Sequence, residues 1–145
     1  MTTLTMDTTE LASRLRLGVT RLARRLRREA EPGITQSQLS ALATIDRHGP
    51  ITIGELSAVE QVQPPSMTKI VAALVDADLI DRDIDPDDRR ISWLRAKPEG
   101  VRLLHRSRKR KEAFLAKRMR SLEPRQLAVL EEATEILEQI VEGDR

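Results

Sequence analysis

The sequence predicts a mainly α-helical protein that carries a small β-hairpin. Apolar residues recur at steps of three and four along most of the chain, and aromatic residues make up only 1% of it. One stretch departs from this pattern, because a turn rich in Asp separates two short β-like runs. The length of 145 residues is typical of one domain, so we expect a single domain over residues 1–145.

The first three helices follow from apolar stripes and capping signals. Helix 1 is predicted from Leu11 onward and ends before the Pro-Gly pair at 32–33. Thr35 and Gln38 form a capping box that begins helix 2. A second capping box at Thr52 begins helix 3, whose apolar stripe is barely two turns long.

A fourth helix is predicted to begin at Pro64 and Pro65, because proline lacks an amide proton and suits only the first turn of a helix. This helix runs to about Asp76. Its apolar face, which predicts the buried side, consists of Met67, Ile70, Val71 and Leu74. The outward face is small and polar and carries a single cation, Lys69.

A hairpin and two long helices complete the chain. Residues 79–84 and 91–94 are predicted strands, and the turn formers at 85–88 separate them. A long basic helix 5 begins at Pro98. Pro124 opens helix 6, whose apolar residues keep a heptad-like rhythm.

The order of these elements indicates a winged helix-turn-helix. Helices 2 to 4 are followed at once by a hairpin, and the tight turn before helix 4 suits a recognition helix that enters the major groove of DNA. We expect this lobe to cover residues 34–97. Residues 8–31 and 98–143 then remain as helices whose apolar stripes need a partner, so we expect them to form a homodimer.

The composition excludes several classes of protein. The chain has no cysteine, which excludes disulfides, thiolate metal ligands and thiol-based redox switching. No apolar run approaches the roughly 20 residues of a membrane span, and residues 1–7 are polar and unlike a signal peptide. We therefore expect a cytoplasmic protein with no membrane partner.

The charge is unevenly distributed, although the formal net charge is only +2. Residues 121–145 hold seven acidic residues and two arginines, a net charge of −5, so residues 1–120 carry +7. An asymmetry of this kind points to a polyanion that faces one part of the molecule.

Two segments carry motifs of a known family. The predicted wing reads Leu79-Ile80-Asp81-Arg82, then Asp85-Pro86-Asp87-Asp88-Arg89-Arg90, then Pro98-Glu99-Gly100, and the predicted recognition helix reads Pro64-Pro65-Ser66-Met67-Thr68-Lys69. These segments resemble the MarR family of bacterial transcription regulators, and the resemblance covers nearly the whole chain.

The resemblance implies a surface that binds double-stranded DNA. Its residues are Gln63, just before helix 4, and Pro64, Pro65, Ser66, Thr68 and Lys69 on it, with Arg89 and Arg90 on the wing. In that family an Asp two residues before the wing Arg aims the guanidinium into the minor groove. Asp88 and Arg90 stand at these positions, and the negative potential of a narrow minor groove attracts Arg. The family also implies a small-molecule effector bound between the dimerisation helices and the DNA-binding lobe.

The chain departs from the usual pattern of the family at three places, which comprise four residues. Ala73 stands where a basic residue is common, Asp78 where Gly often ends the recognition helix, and Ala96-Lys97 where Leu-Thr is usual. Asp adopts the left-handed conformation less readily than Gly but more readily than most residues, so the turn at Asp78 stays compatible with the family.

No motif indicates catalysis, a metal or a cofactor. The six glycines are scattered and form neither a P-loop nor a dinucleotide fingerprint. An EF-hand loop that began at Asp81 would place Pro86 where Gly is required and Ser92 where a bidentate Glu is required. His48 and His105 lack further ligands at metal-binding spacing. We expect a protein that is not an enzyme and needs no cofactor.

The leading hypothesis is a homodimeric regulator that binds double-stranded DNA at specific sequences, as a repressor released by its effector. The alternative is a helical interaction module, such as an adaptor or anti-repressor, that keeps the fold without specific DNA binding. The pair of Asp88 and Arg90 favours the first hypothesis, because an adaptor has no need of it.

Overall fold

The computed structural model describes residues 4–143, and these residues contain six helices and three strands. In chain order the elements are α1 (Thr8–Arg28), α2 (Gln36–His48), β1 (Ile51–Thr52), α3 (Ile53–Glu60), α4 (Pro64–Asp76), β2 (Ile80–Ile84), β3 (Ser92–Ala96), α5 (Pro98–Met119) and α6 (Pro124–Glu142). The predicted fold class is confirmed. Residues 1–3 and 144–145, which entered the predicted domain and the charge count, lie outside the described residues.

The chain divides into two compact units within α5. Residues up to Lys111 form the first unit, and residues from Glu112 onward form the second. Both segments that were predicted to contact DNA, the start of α4 and the β2–β3 hairpin, belong to the first unit.

Local capping signals fix where the first helices begin. The predicted capping boxes are present, since the hydroxyls of Thr35 and Thr52 each accept a hydrogen bond from a first-turn amide at 3.1 Å. α1 begins at Thr8 rather than near Leu11. Asp7 caps it, because its carboxylate accepts a hydrogen bond from a first-turn amide at 2.7 Å, and apolar periodicity alone does not report that turn.

The hairpin is part of a three-stranded antiparallel sheet with the order β1-β3-β2. Strand β1 was not predicted, because two residues are too few to show the alternation that marks a strand. Its Ile51 lies opposite Leu94 of β3. Strands β2 and β3 pair from Ile80 opposite Ala96 to Ile84 opposite Ser92, which corrects the predicted strand bounds of 79–84 and 91–94.

Leu79 belongs to the turn after α4 and not to a strand. Its amide donates to the carbonyl of Leu74 at 3.0 Å, and its carbonyl accepts a hydrogen bond from the amide of Lys97 at 2.9 Å. Gly100, in the first turn of α5, is buried so close to that carbonyl that any Cβ would collide with it. The start of α5 is therefore packed tightly against the end of the recognition helix.

The core of the first unit lies between α2, α3, α4 and the sheet. Its most deeply buried side chains, none more than 1% exposed, are Ala41, Leu42, Ile45, Leu56, Met67, Val71, Leu74 and Leu94. Ile70 packs against this cluster and is partly buried. The predicted apolar face of helix 4 is thereby confirmed, and the opposite face is left to solvent.

α1 and α6 carry large apolar residues that the single chain leaves exposed. They are Leu11, Leu15, Leu17, Val19 and Leu22 on α1, and Leu127, Val129, Leu130, Ile136, Leu137, Ile140 and Val141 on α6. So many exposed large apolar residues on one helix indicate an interaction site on each of these two helices. Over residues 4–143 no helix is both long and apolar enough to cross a membrane.

Candidate nucleic-acid interface

A tight turn joins α3 to α4 and sets the direction in which α4 begins. Gln61 adopts the left-handed conformation with φ of 53°, and the amide of Val62 donates to the carbonyl of Ser57 at 3.1 Å. Pro64 and Pro65 fill the first two positions of α4, where the missing amide protons disrupt no helical hydrogen bond. The helix therefore begins where the two prolines predicted.

Glu60, at the end of α3, holds this helix against α2. Its carboxylate oxygens accept hydrogen bonds from the Ser40 hydroxyl at 2.7 Å and from the Thr44 hydroxyl. The contact links the end of α3 to α2, and both helices pack against α4. Sequence reasoning missed it, because no local pattern links Glu60 to residues 16 and 20 positions earlier.

The predicted contact residues of α4 lie together at its exposed start. Gln63 precedes the helix, and Pro64, Pro65, Ser66, Thr68 and Lys69 follow, all of them exposed. Met67 lies among them in sequence but points inward and is fully buried. Helical geometry thus separates a buried apolar anchor from a polar face that is open to a ligand.

Two side chains on this polar face have different chemistry. The Thr68 hydroxyl donates to the carbonyl of Pro64 at 2.9 Å, so its proton is engaged and its oxygen is left as an acceptor. Lys69 is the only Lys or Arg in α4 and supplies the positive charge of the face. A face of this kind can meet both base edges and phosphates.

The wing tip holds the ion pair that the family resemblance implied. Arg90 donates from Nε to Asp88 Oδ1 at 3.0 Å and from Nη2 to Asp88 Oδ2 at 3.1 Å. The Arg90 amide also donates to Oδ1 at 3.0 Å. The Arg90 side chain is nevertheless 90% exposed, against 34% for that of Asp88. These bonds lower the pKa of Asp88 and raise that of Arg90, so the pair stays charged at neutral pH.

Asp85 organises the turn at the tip of the wing. Its Oδ1 accepts hydrogen bonds from the amides of Asp87 and Asp88 at 2.8 and 3.0 Å, and its Oδ2 accepts one from Trp93 Nε1 at 2.9 Å. The indole contact, followed by the two amides, lowers the pKa of Asp85 below its ordinary value of 3.8. The sequence alone marks Asp85 only as a turn former.

Other acidic residues of the wing also contact donors. At the base of the hairpin, Lys97 forms ion pairs with Asp78 and, at 3.7 Å, with Asp81. These contacts reduce the repulsion that the Asp78 and Asp81 carboxylates would exert on a polyanion. Arg89 lies at the tip as an exposed side chain. Among residues 4–143, no group of three or more His, Asp and Glu side chains is placed to hold a metal ion.

Comparisons with known proteins decide the family. Residues 34–92 match the sequence profile of the MarR family. The chain is 35% identical over 133 residues to an HTH-type transcriptional regulator of Mycobacterium leprae, covering 91% of this chain and 93% of that one. The chain belongs to the MarR family. This membership confirms the resemblance, and it agrees with the prediction that the protein is not an enzyme, because MarR proteins are transcriptional regulators.

Solved structures of MarR-like fold are similar throughout. A transcriptional regulator protein of Pseudomonas aeruginosa superimposes with a TM-score of 0.83 at 34% identity, covering 95% of this chain and 98% of that one. A mutant of MepR from Staphylococcus aureus, solved bound to an oligodeoxyribonucleotide, has a TM-score of 0.70 at 16% identity and coverages of 90% and 97%. The second likeness extends to the fold alone. Together they confirm the winged helix-turn-helix architecture.

Proposed function

We propose that this MarR-family protein is a homodimeric repressor that binds a pseudo-palindromic DNA duplex, one winged helix to each half-site. The exposed face of α4 from Gln63 to Lys69 enters the major groove. Arg90 enters the adjacent minor groove, and Arg89 contacts a phosphate. The protein acts in the cytoplasm, on DNA that it reaches there.

One observation carries the proposal: the fork between Asp88 and Arg90 is formed although Arg90 is 90% exposed. An exposed arginine normally samples many rotamers, and a bidentate carboxylate restricts them. Such a pre-oriented guanidinium matches the negative potential of a narrow minor groove. The interaction-module alternative offers no role for it.

Dimerisation follows from the exposed apolar stripes of α1 and α6. Leu130 and Leu137, seven residues apart on α6, are 41% and 37% exposed, and Leu15 on α1 is 41% exposed. A second copy of the chain presents the same stripes, so a two-fold dimer covers both sets at once. Two winged helices held in this way can read two half-sites of one duplex.

We further propose that a small-molecule effector releases the repressor from DNA, and a groove between α2 and α5 supports this proposal. It has a volume of about 150 Å³ and is lined by Gln36, Leu39, Ser40, Ala43, Leu104, Ser107, Arg108 and Lys111. A lining that combines apolar side chains, hydroxyls and two cations suits a small organic anion. A ligand seated there contacts both α2, which supports the recognition helix, and the middle of the long helix α5.

Selection of bound fragments from sheared genomic DNA tests the proposal. The purified protein is expected to enrich fragments that share an inverted repeat, and Arg90→Ala is expected to enrich them poorly. Transcription in vitro from an enriched promoter is expected to fall when the protein is added. Recovery of fragments without a shared sequence would support the interaction module instead.

A further inference from the structure

We infer that Asp85 is a positioning residue for DNA binding: together with Trp93 it fixes the wing tip so that Asp88 presents Arg90 to the minor groove. This inference rests on the proposed function and deepens it. It concerns two residues to which the motif of the wing assigns no role in DNA binding.

Four hydrogen bonds meet at Asp85. One carboxylate oxygen accepts two backbone amides, those of Asp87 and Asp88, and the other accepts the indole N–H of Trp93. The Asp85 amide donates to the carbonyl of Ile91 at 2.9 Å, across the turn. Asp85 is therefore hydrogen-bonded both to the turn itself and to the chain that follows the turn.

Trp93 belongs to the sheet and not to the turn. Trp93 lies in the central strand β3, opposite Thr52 of β1 and Asp83 of β2, and its ring is partly buried. Its hydrogen bond to Asp85 therefore ties the tip to the three-stranded sheet rather than to the turn alone. A rotation of the tip relative to the sheet would break this bond.

Hydrogen bonds also connect the turn at the wing tip to Arg90. Asp85 holds the Asp88 amide, and the Asp88 carbonyl accepts a hydrogen bond from the Ile91 amide at 3.0 Å. The Asp88 carboxylate then holds Arg90 through the fork. The direction of the exposed guanidinium thus depends on where Asp88 is held. Bonds made before binding reduce the entropy lost when Arg90 enters the groove.

The test is a double-mutant cycle between Asp85 and Arg90, with DNA affinity measured on the selected site at fixed salt. Asp85→Ala is expected to weaken binding roughly two- to tenfold in the wild-type protein and to have no further effect in the Arg90→Ala background. The matched control is Asp87→Ala, which removes the same charge from the same turn but no carboxylate bond to the tip. It is expected to leave affinity unchanged or slightly raised.

Two further variants separate positioning from folding. Trp93→Phe keeps an aromatic ring but removes the N–H donor, and Asp85→Asn keeps one acceptor oxygen where the carboxylate has two. Both are expected to reproduce part of the loss while thermal unfolding followed by circular dichroism stays close to wild type. In both, the preference for A·T pairs beside each half-site is expected to weaken.

Equal losses from Asp85→Ala with and without Arg90 would overturn the inference, because Asp85 would then act independently of the guanidinium. Wild-type affinity for Asp85→Ala would overturn it as well. Either result leaves the proposed function intact. Failure of the wild-type protein to prefer any duplex sequence would instead overturn the proposed function.

Discussion

Lys97, in the junction between β3 and α5, forms an ion pair with Asp78, in the turn that ends α4. These are two of the positions at which the chain departs from the usual MarR pattern. Asp78 has a left-handed backbone with φ of 62°, where Gly is common. The carboxylate introduced there meets the ammonium introduced 19 residues later. Two departures that look independent in sequence are thus one contact in the structure.

Asp78 allows the backbone and the ion pair to be tested separately. Asp78→Asn removes the charge but keeps a residue that adopts the left-handed conformation, whereas Asp78→Gly also removes the backbone strain. Asp78→Gly is expected to be the more stable of the two by up to about 1 kcal/mol in urea unfolding. In the Lys97→Met background Asp78→Asn is expected to have no effect. Equal stability of the Gly and Asn variants would contradict the strain assigned to Asp78.

The wing tip is expected to lose its order only in acid. Hydrogen bonds lower the pKa of Asp85 and Asp88 below the ordinary value of 3.8, so their contribution is fully present above that value. It is lost as the pH falls through the lowered folded values. Trp93 is the only tryptophan, and its fluorescence reports the tip directly. Its emission is expected to stay constant from about pH 8 to about pH 5, and a transition near pH 6 would contradict this assignment.

Lys69 and Arg90 are expected to affect DNA recognition differently. Lys69→Ala is expected to relax the preference at one position of each half-site if the ammonium contacts a guanine edge, and to lower affinity for all sequences alike if it contacts a phosphate. Arg90→Ala is expected to lower affinity about tenfold or more and to weaken the A·T preference at the flanks. Site selection with each variant at one salt concentration measures both. Unchanged affinity of Arg90→Ala for the wild-type site would contradict the role given to the wing.

The salt dependence of DNA affinity is expected to report the number of phosphate contacts. Each neutralised phosphate contributes about −0.9 to the slope of log affinity against log salt concentration. Arg89→Gln is expected to reduce that slope by about 2 per dimer, one contact for each subunit. Arg120→Gln, which removes an exposed cation in the turn just after α5, is the control and is expected to keep the slope. The same slope for all three proteins would exclude a phosphate contact at Arg89.

The dimer is expected to depend on the exposed stripe of α6. Replacing both Leu130 and Leu137 with Asp places two charges on a surface that the second copy covers, so the protein is expected to become monomeric or to unfold. Light scattering measures the mass, and circular dichroism distinguishes the two outcomes. Gln139→Asp, an exposed position on another face of the same helix, is the control. A well-folded dimer of the double variant would contradict the assignment.

Local signals explain how much of the fold was predictable. The capping boxes at Thr35 and Thr52 and the two prolines of α4 each act within one helical turn, so the sequence places those helix starts correctly. Strand β1 has no such signal, because its identity as a strand depends on Leu94, more than forty residues away. Pairing at that range is a property of the packed chain and not of the segment.

The candidate site was likewise predictable only where local sequence signals or the family motif mark its residues. Helical periodicity separated Lys69 from the buried Met67, and the family motif located Asp88 and Arg90, whose roles at DNA stay predictions. The bonds of Glu60 to α2 and of Asp85 to Trp93 were missed. Only a partial signal existed for the second: a tryptophan commonly needs an acceptor for its N–H, but the strand register places Asp83 opposite Trp93 and does not single out Asp85 in the turn.

The paired prolines at the start of α4 alter what the backbone can offer to a bound anion. At the start of a helix four amide protons ordinarily have no partner within the helix, and together they attract phosphate. In α4 two of those four positions are Pro64 and Pro65, so at most two protons remain. If α4 binds in the major groove as proposed, its backbone therefore offers few contacts to a phosphate. The proposal then assigns more of the positioning of α4 to the wing and to the spacing of the two subunits.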